Sequence, residues 1–109
     1  MINYHDFEKI DIRTGEIVRV DDFPRARKPS YIVTIDFGLE LGRKRSSVQA
    51  TNYEKAQLLG MQVVCVVNFP EKNIAGFMSE VLVLGVPGDD GRLSLIATTR
   101  KGVLGGRVY

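Results

Sequence analysis

The feature that most constrains this fold is the spacing of its apolar residues, which alternate in short stretches separated by turn residues. The clearest stretch is 31–37, where Tyr31, Val33, Ile35 and Phe37 fall on one face of an extended chain. A period of two residues is typical of a strand with one buried face, whereas an amphipathic helix has a period near 3.6. The pattern therefore predicts a chain built from short strands.

Glycine, proline and aspartate divide the rest of the chain into similar short elements. Four further strands are predicted at Thr14–Val20, Arg43–Ala50, Gln62–Phe69 and Ser79–Leu84. Short helices are predicted at 3–9 and Tyr53–Leu59, turns at Gly38–Gly42 and Pro87–Gly91, and a loop at Pro70–Gly76. Five short strands with a helix between the third and the fourth favour an all-β Greek-key barrel of the OB-fold type over a sandwich.

The length of 109 residues is enough for one domain, 1–109, with one core. No apolar run approaches the roughly 20 residues of a membrane-spanning helix, and the N-terminus has no apolar segment typical of a signal peptide. The single Cys65 cannot form an internal disulfide and is expected to pack as a small apolar residue. These features predict a cytoplasmic protein without membrane insertion.

Catalytic chemistry is poorly supported by the residue types present. His5 is the only histidine, and it lies in the predicted N-terminal helix. A nucleophilic triad needs a base, and a zinc site needs several cysteine or histidine ligands. The aspartate pairs at 21–22 and 89–90 fall in predicted turns, where aspartate is favoured for backbone reasons. The sequence therefore predicts no enzyme activity, no metal and no cofactor.

Positive charge is concentrated in the middle of the chain. The net charge is only +2, but the segment from Arg25 to Lys55 holds seven basic residues and three acidic ones. Such a cluster indicates a patch that faces an anionic partner, and an ordinary solvated surface is the alternative. In the run Arg43–Ser47, three cations and two hydroxyls on one strand favour phosphate binding. The alternative is an edge strand, whose cations prevent aggregation with other strands.

The segment 68–77 is a second candidate for ligand binding. Lys72 and Asn73 present polar groups, and Asn68 adds an amide able to contact base edges, as does Gln49 on the third strand. Phe69 and Phe77 have two possible roles, stacking on nucleotide bases or packing in the core.

Three motifs resemble a known family: the run from Asp6 to Gly15, the run Ile35–Gly42 with Ser46, Ser47 and Gln49 after it, and the segment from Val66 to Gly85. The first resembles the opening of the tRNA-binding domain that is appended to methionyl- and phenylalanyl-tRNA synthetases. Together the three are similar to the stand-alone branch of that family, the export-related CsaA chaperones. The resemblance covers nearly the whole chain.

The resemblance implies an OB-fold barrel with N- and C-terminal extensions, a homodimer, tRNA binding, and binding of unfolded or precursor polypeptides for export. Carried over by position, the implied RNA-binding residues are Lys44, Ser46, Ser47, Gln49, Asn68, Lys72, Gly76 and Ser79. Arg45 is added for its charge.

The sequence departs from the family pattern at three places. Relatives often have two successive basic residues where this chain has Lys72 and Asn73 after Glu71, and often a lysine where it has Ile32. Both differences reduce the positive charge available to RNA. Synthetase-type domains usually continue the last motif with Gly-Met, whereas Glu80 and Val81 stand here, which favours the chaperone branch.

The strand around residues 81–84 predicts an assembly. Its residues are apolar on both faces, and a small barrel has only one inner face, so the outer face needs a cover. The predicted dimer interface comprises Tyr4, Phe7, Val81, Val83, Val103, Leu104, Val108 and Tyr109.

The sequence leaves two main functions open. One is tRNA binding together with chaperoning of precursor polypeptides, and the other is polypeptide chaperoning with only weak RNA binding. A subunit that scaffolds another protein is a third alternative.

Overall fold

The computed structural model describes residues 1–109, and its elements are mainly short strands. In chain order they are α1 (Tyr4–Glu8), β1 (Ile12–Asp22), β2 (Tyr31–Asp36), α2 (Gly38–Leu41), β3 (Arg43–Val48), α3 (Lys55–Leu58), β4 (Gln62–Val66), β5 (Lys72–Ile74), β6 (Phe77–Ser79), β7 (Leu82–Val83), β8 (Gly85–Pro87) and β9 (Leu93–Leu95). Five strands form one antiparallel sheet in the order β3-β2-β1-β4-β7, and β5–β6 and β8–β9 form two hairpins. The predicted all-β barrel of the OB-fold type is confirmed.

Strand β1 is the longest element and belongs to both halves of the barrel. Its first half, residues 12–16, pairs with β4, and residues 16–22 pair with β2. The register shifts between Ile17 and Arg19, and such a bulge increases the local bend and twist of a strand. Because of this bend, one strand can turn the sheet back on itself and nearly close the barrel.

The core is formed by the alternating residues that the sequence predicts. Val33, Ile35 and Phe37 are at most 1% exposed, so the face assignment along β2 is confirmed. Cys65 is fully buried on β4 and packs as a small apolar residue, as expected. The same core cluster contains Ile17, Val48, Ala50, Leu58, Val63 and Val81.

The segment predicted as a loop, Pro70–Gly76, instead enters a hairpin. Lys72 pairs with Ser79 and Ile74 with Phe77, and the two-residue turn between the strands consists of Ala75 and Gly76, at φ 50° and 88°. Positive φ at both central positions matches the twist of a two-residue hairpin, which asparagine-glycine usually signals. The loop prediction was wrong because alanine-glycine lacks that signal.

Other element boundaries also differ from the predicted ones. The single strand predicted at Ser79–Leu84 is divided between the end of β6 and the two residues of β7. The chain bends between them so that Val81, only 6% exposed, enters the core. The turn predicted at Gly38–Gly42 contains one helical turn, and β1 is longer than predicted.

Both termini are attached to the barrel. Asn3 caps α1, since its side chain accepts from the Asp6 N–H while the Asp6 carboxylate accepts from the Asn3 N–H. The C-terminal segment lies along β1, where the Thr14 N–H donates to the Gly106 carbonyl at 2.9 Å and the Gly105 N–H donates to the Thr14 carbonyl at 2.8 Å. These two contacts hold the end of the chain against the barrel.

An ionic cluster joins the two termini. The Arg13 Nε donates to Asp11 Oδ1 at 2.6 Å, and Arg107 lies 3.7 Å from the same oxygen. The hydrogen bond to Asp11 raises the pKa of Arg13 above its ordinary value. Arg107 also donates to the Glu8 carbonyl at 2.7 Å, so α1 and the C-terminal segment lie side by side.

Candidate nucleic-acid interface

A groove of about 1100 Å³ lies between the 24–30 loop, the β5–β6 hairpin and the outer face of β3. We call it the first groove. It is lined by Ala26, Arg27, Lys28, Ser30, Ser47, Gln49, Phe69, Pro70, Lys72, Asn73, Ile74, Ala75, Ser79, Glu80, Val81 and Leu82. Three segments that are distant in sequence therefore share one concave surface.

The cations of the first groove have no acidic partners within the chain. Arg27, Lys28 and Lys72 form no salt bridge, and Glu80 is the only acidic residue in the lining. Elsewhere most of the cations are paired: Lys9 with Asp6, Arg13 with Asp11, Arg19 with Asp21, Lys55 with Asp22 and Arg92 with Asp90. Three unpaired cations thus share this groove, where they are available to phosphate groups.

Strand β3 presents only some of its predicted binding residues to the surface. Arg45, Ser47 and Gln49 are on the outer side, and Ser47 and Gln49 line the first groove. Ser46 is 1% exposed because its register partner on β2, Val33, faces the core. Its hydroxyl donates to the Val81 carbonyl at 2.7 Å, so the prediction that Ser46 contacts RNA is corrected by its burial.

Lys44 is held by an acidic neighbour. Its ammonium lies 3.9 Å from Glu80 Oε2, and its strand partner Ile35 belongs to the core. The side chain is therefore half-buried at the end of the barrel, with its charge partly compensated. Arg43 and Arg45 are exposed on the other side of β3 and form no salt bridge, and Arg45 is the nearer of the two to Ser47 along the strand.

Ser79 belongs to the seam that closes the barrel, which we define as the contacts between β3 and residues 79–81. Its hydroxyl accepts from the Ser47 N–H at 3.1 Å and donates to Ser46 Oγ at 3.4 Å. The Glu80 N–H donates to the Arg45 carbonyl at 2.8 Å, and the Arg45 N–H donates to the Glu80 carboxylate at 3.0 Å. Although Ser79 lines the groove, it is buried and its hydroxyl is already engaged, so its predicted role in RNA contact is corrected to closure of the barrel.

Asn68 and Gly76 lie outside the first groove. The Asn68 side chain accepts from the Asp11 N–H at 3.0 Å and donates to the Lys9 carbonyl at 2.9 Å, so both ends of its amide hold the N-terminal segment. Gly76 forms the hairpin turn, where its N–H donates to Asn73 Oδ1 at 2.9 Å. Of the predicted RNA-binding set, the structure brings together Ser47, Gln49, Lys72 and Ser79.

Phe69, before the β5–β6 hairpin, and Phe77, within it, have different surroundings. Phe77 is enclosed, because Phe23 packs edge-on against its ring at 5.6 Å and the Arg45 guanidinium lies 5.0 Å from its centroid. Phe69 lines the first groove and is 54% exposed. Of the two roles predicted for these rings, packing applies to Phe77, and Phe69 remains accessible.

Sequence reasoning did not assign Arg27 and Lys28 to the site. Both lie in the loop that follows β1, and both line the first groove together with Lys72. The available signal was the dense charge of Arg25, Arg27 and Lys28, which counted toward the basic cluster but had no predicted location in the fold.

The residues predicted for a dimer interface fall into three groups. Tyr4, Val103 and Tyr109 are exposed, while Phe7, Leu104, Val108 and Val83 are partly buried. Val81 is a core residue, so its assignment to an interface is corrected; its neighbour Leu82, 49% exposed, faces outward instead.

Two further observations concern the whole chain. No set of three or more histidine, cysteine, aspartate or glutamate side chains is arranged to hold a metal ion. None of the helices has the length and apolar character required to cross a membrane.

Comparison with known proteins identifies the family. Residues 12–107 match the family model described as "Putative tRNA binding domain". The chain belongs to this tRNA-binding domain family. The match covers the barrel, the first groove and most of the C-terminal segment.

Relatives of this tRNA-binding domain include both small proteins and parts of large enzymes. Its fold is similar to the CsaA chaperone of Picrophilus torridus (49% identity, TM-score 0.94, all of both chains covered) and to the chaperone CsaA of Bacillus anthracis (42% identity, TM-score 0.91, 100% and 99% covered). The methionine–tRNA ligase of Thermococcus kodakarensis is 32% identical over 108 residues. That alignment includes 98% of this chain but only 14% of the length of the ligase.

Proposed function

We propose that this tRNA-binding domain binds tRNA without catalysing a reaction, and that the first groove and the outer side of β3 form the contact surface. The observation that carries the proposal is the group of unpaired cations, Arg27, Lys28 and Lys72, on one concave surface. Phosphate contacts supply most of the affinity in such interfaces, and hydroxyl and amide groups add positioning contacts. Ser47 and Gln49 supply those groups on the floor of the groove.

The test compares two lysines that differ in location only. Lys72 lines the first groove, Lys101 lies near the C-terminus, and both are exposed and without a salt bridge. Lys72→Ala should weaken tRNA binding and lower the slope of log K against log salt by roughly 0.7 to 0.9, the share of one phosphate contact. Lys101→Ala removes the same charge and should leave the slope close to that of the wild type.

Equal effects of the two variants on tRNA binding would contradict the proposal, since they would show only an unspecific response to net charge.

Two variants on β3 extend the test. Arg45→Ala should weaken binding because Arg45 has no salt bridge, whereas Lys44→Ala should have a smaller effect because Glu80 already neutralises part of its charge.

A second candidate function is the chaperoning of unfolded or precursor polypeptides in export, either beside tRNA binding or in place of it. Two observations favour it: the similar structures named CsaA chaperones, and the exposed apolar side chains of Phe69 and Leu82 in the first groove. Apolar contacts are insensitive to salt screening, so binding of an apolar peptide that persists at high salt would support this function.

We further propose that the protein acts as a cytoplasmic homodimer. Support for the dimer comes from the exposed apolar residues of the adjoining termini, Tyr4, Val103 and Tyr109, which a two-fold axis can pair with their own copies. Support for the compartment comes from the free thiol of Cys65, and the proposed binding of tRNA agrees with it.

A further inference from the structure

Phe69 is an aromatic side chain exposed in a basic groove. It is 54% exposed, it shares the first groove with Arg27, Lys28 and Lys72, and it forms none of the aromatic pairs of the structure, which are Tyr4–Phe7 and Phe23–Phe77. An exposed ring costs hydrophobic free energy unless a ligand covers it. Stacking of a nucleotide base on an aromatic ring beside phosphate-binding cations is a general mode of single-strand binding.

The floor of the first groove offers unused hydrogen-bonding groups. In β3 the N–H and C=O of Arg45 and the N–H of Ser47 point toward the seam, where residues 79 and 80 satisfy them. Two residues after Ser47, just past the end of β3, Gln49 lies beyond the seam and lines the first groove. Neither its backbone groups nor its side-chain amide has a hydrogen-bond partner within the chain, so donors and acceptors are available there to the edge of a base.

A second groove of about 650 Å³ continues from the first one. Lys28, Ser47, Gln49 and Leu82 line both of them, and Arg92 of the β8–β9 turn lines the second. The two grooves therefore form one track that is joined at Lys28 and Gln49. The unpaired Arg27 and Lys72 line its first part, and Arg92, which is paired with Asp90, lines its second part. An extended strand fits such a track better than a compact ligand.

We infer that this track receives an unpaired RNA strand, with one base stacked on Phe69, its phosphates near Arg27, Lys28 and Lys72, and a following base at Gln49. The inference rests on the proposed function and specifies which part of an RNA enters the site. In an A-form duplex the bases are stacked on each other inside the helix, so a ring on the protein cannot stack on them. Unpaired loops and ends present free base faces.

The test measures binding of a fluorescent 12-nucleotide oligouridylate, of the same oligonucleotide with abasic positions, and of an RNA duplex of equal length. The wild type should prefer the oligouridylate over both. Phe69→Ala should weaken oligouridylate binding by roughly 5- to 150-fold, the loss expected for one base–aromatic stack. On the abasic oligonucleotide the same variant should bind like the wild type, because no base is present to stack.

Two further variants serve as controls. Met78→Ala removes an exposed apolar side chain of the β5–β6 hairpin that lies outside the first groove, and it should not change binding. Phe69→Leu keeps the apolar volume without the ring and should lose most of the preference for bases over abasic sites, which separates stacking from any effect on folding.

Several outcomes would overturn the inference. One is an equal loss for Phe69→Ala on the normal and the abasic oligonucleotide, and another is tight binding of the duplex. If Phe69→Ala weakened the binding of an acidic peptide but not the binding of RNA, the track would be a polypeptide site. A tRNA affinity that depends on Lys72 but not on Phe69 would overturn this inference and leave the proposed function intact, whereas independence from Lys72 would contradict the proposed function itself.

Discussion

Gly15 lies where β1 crosses the face of β2 that forms the core, and there is no room for a larger residue. A Cβ atom at this position would be 2.5 Å from Ile35 Cγ2 and 2.8 Å from the ring of Phe37. Both neighbours are fully buried and cannot move aside cheaply. Gly15→Ala should therefore lower the free energy of unfolding by about 1–3 kcal/mol, the usual cost of overpacking a core.

Gly102→Ala is the matched control for this prediction. A Cβ atom there would meet its neighbours at 3.5 Å or more, and neither glycine has a positive φ. Urea denaturation should show a change within about 0.5 kcal/mol for Gly102→Ala. A Gly15→Ala protein as stable as the wild type would contradict the packing described for the barrel.

Cys65 provides a test that depends on pH. Burial raises the pKa of its thiol from 9.0 to about 12, because the thiolate cannot be solvated in the core. The unfolded chain ionises this thiol at lower pH than the folded one does. The contribution of Cys65 to stability is therefore complete below about pH 9 and is lost as the pH rises toward 12.

The measurement compares the free energy of unfolding of the wild type and of Cys65→Ala between pH 8 and pH 10.5. The difference between them should shrink as the pH rises, since only the wild type carries the thiol. In the native state the thiol should also react with an alkylating reagent only as fast as the protein opens. Rapid alkylation under native conditions would contradict the buried position.

At the scale of elements, the segment that follows β4 holds the N-terminal helix in place. The Asn68 amide bonds to the backbone on both sides of residue 10, at Lys9 and Asp11. Asn68→Ala should therefore increase amide hydrogen exchange in residues 4–11, and it should affect tRNA binding less than Lys72→Ala does. Asn73→Ala is the control, because Asn73 bonds within its own turn and should alter exchange only in the β5–β6 hairpin. Unchanged exchange near α1 in Asn68→Ala would show that other contacts hold this helix.

The β5–β6 hairpin shows what limits prediction of elements. The turn depends on positive φ at Ala75, a conformation that alanine seldom adopts on its own. The Asn73 side chain and the strand pairing of Lys72 with Ser79 stabilise it. These contacts exist only after the hairpin has folded, so local residue preferences pointed to a loop. By contrast, the turn predicted at Pro87–Gly91 is confirmed, and it connects β8 to β9, because Gly88 and Gly91 mark it directly in the sequence.

At the scale of the whole molecule, the termini predict association. Tyr4, Val103 and Tyr109 expose apolar side chains, and the contacts of Arg107 with Glu8 and Asp11 keep the two terminal segments together. Light scattering at micromolar concentration should show a particle near twice the chain mass of 12.2 kDa. Replacing all three residues by serine should reduce the mass toward that of one chain, while the fold is retained.

Leu39→Ser with Leu59→Ser is the control for association. Both leucines are exposed but lie on α2 and after α3, away from the termini. This variant should keep the dimer. A wild-type particle at the mass of one chain would contradict the dimer proposal, and it would leave the first groove available for tRNA on a single barrel.

The sequence alone determined the character of the strands and the contents of the core. Val33, Ile35 and Phe37 are buried because alternation is a property of the extended backbone itself, and it needs no knowledge of the remaining chain. For the same reason the helix capped by Asn3 and the buried Cys65 could be predicted from local pattern and side-chain chemistry.

Only the tertiary structure decided which polar residues are free to bind. Ser46 and Ser47 are neighbours in sequence, but Ser46 points inward and donates to the Val81 carbonyl, while Ser47 lines the first groove. Likewise, Arg27 and Lys28 join Lys72 only because the loop after β1 folds over β3 toward the hairpin. A hydrogen bond or a shared groove depends on positions set by distant segments, and the periodicity of a single strand carries no information about them.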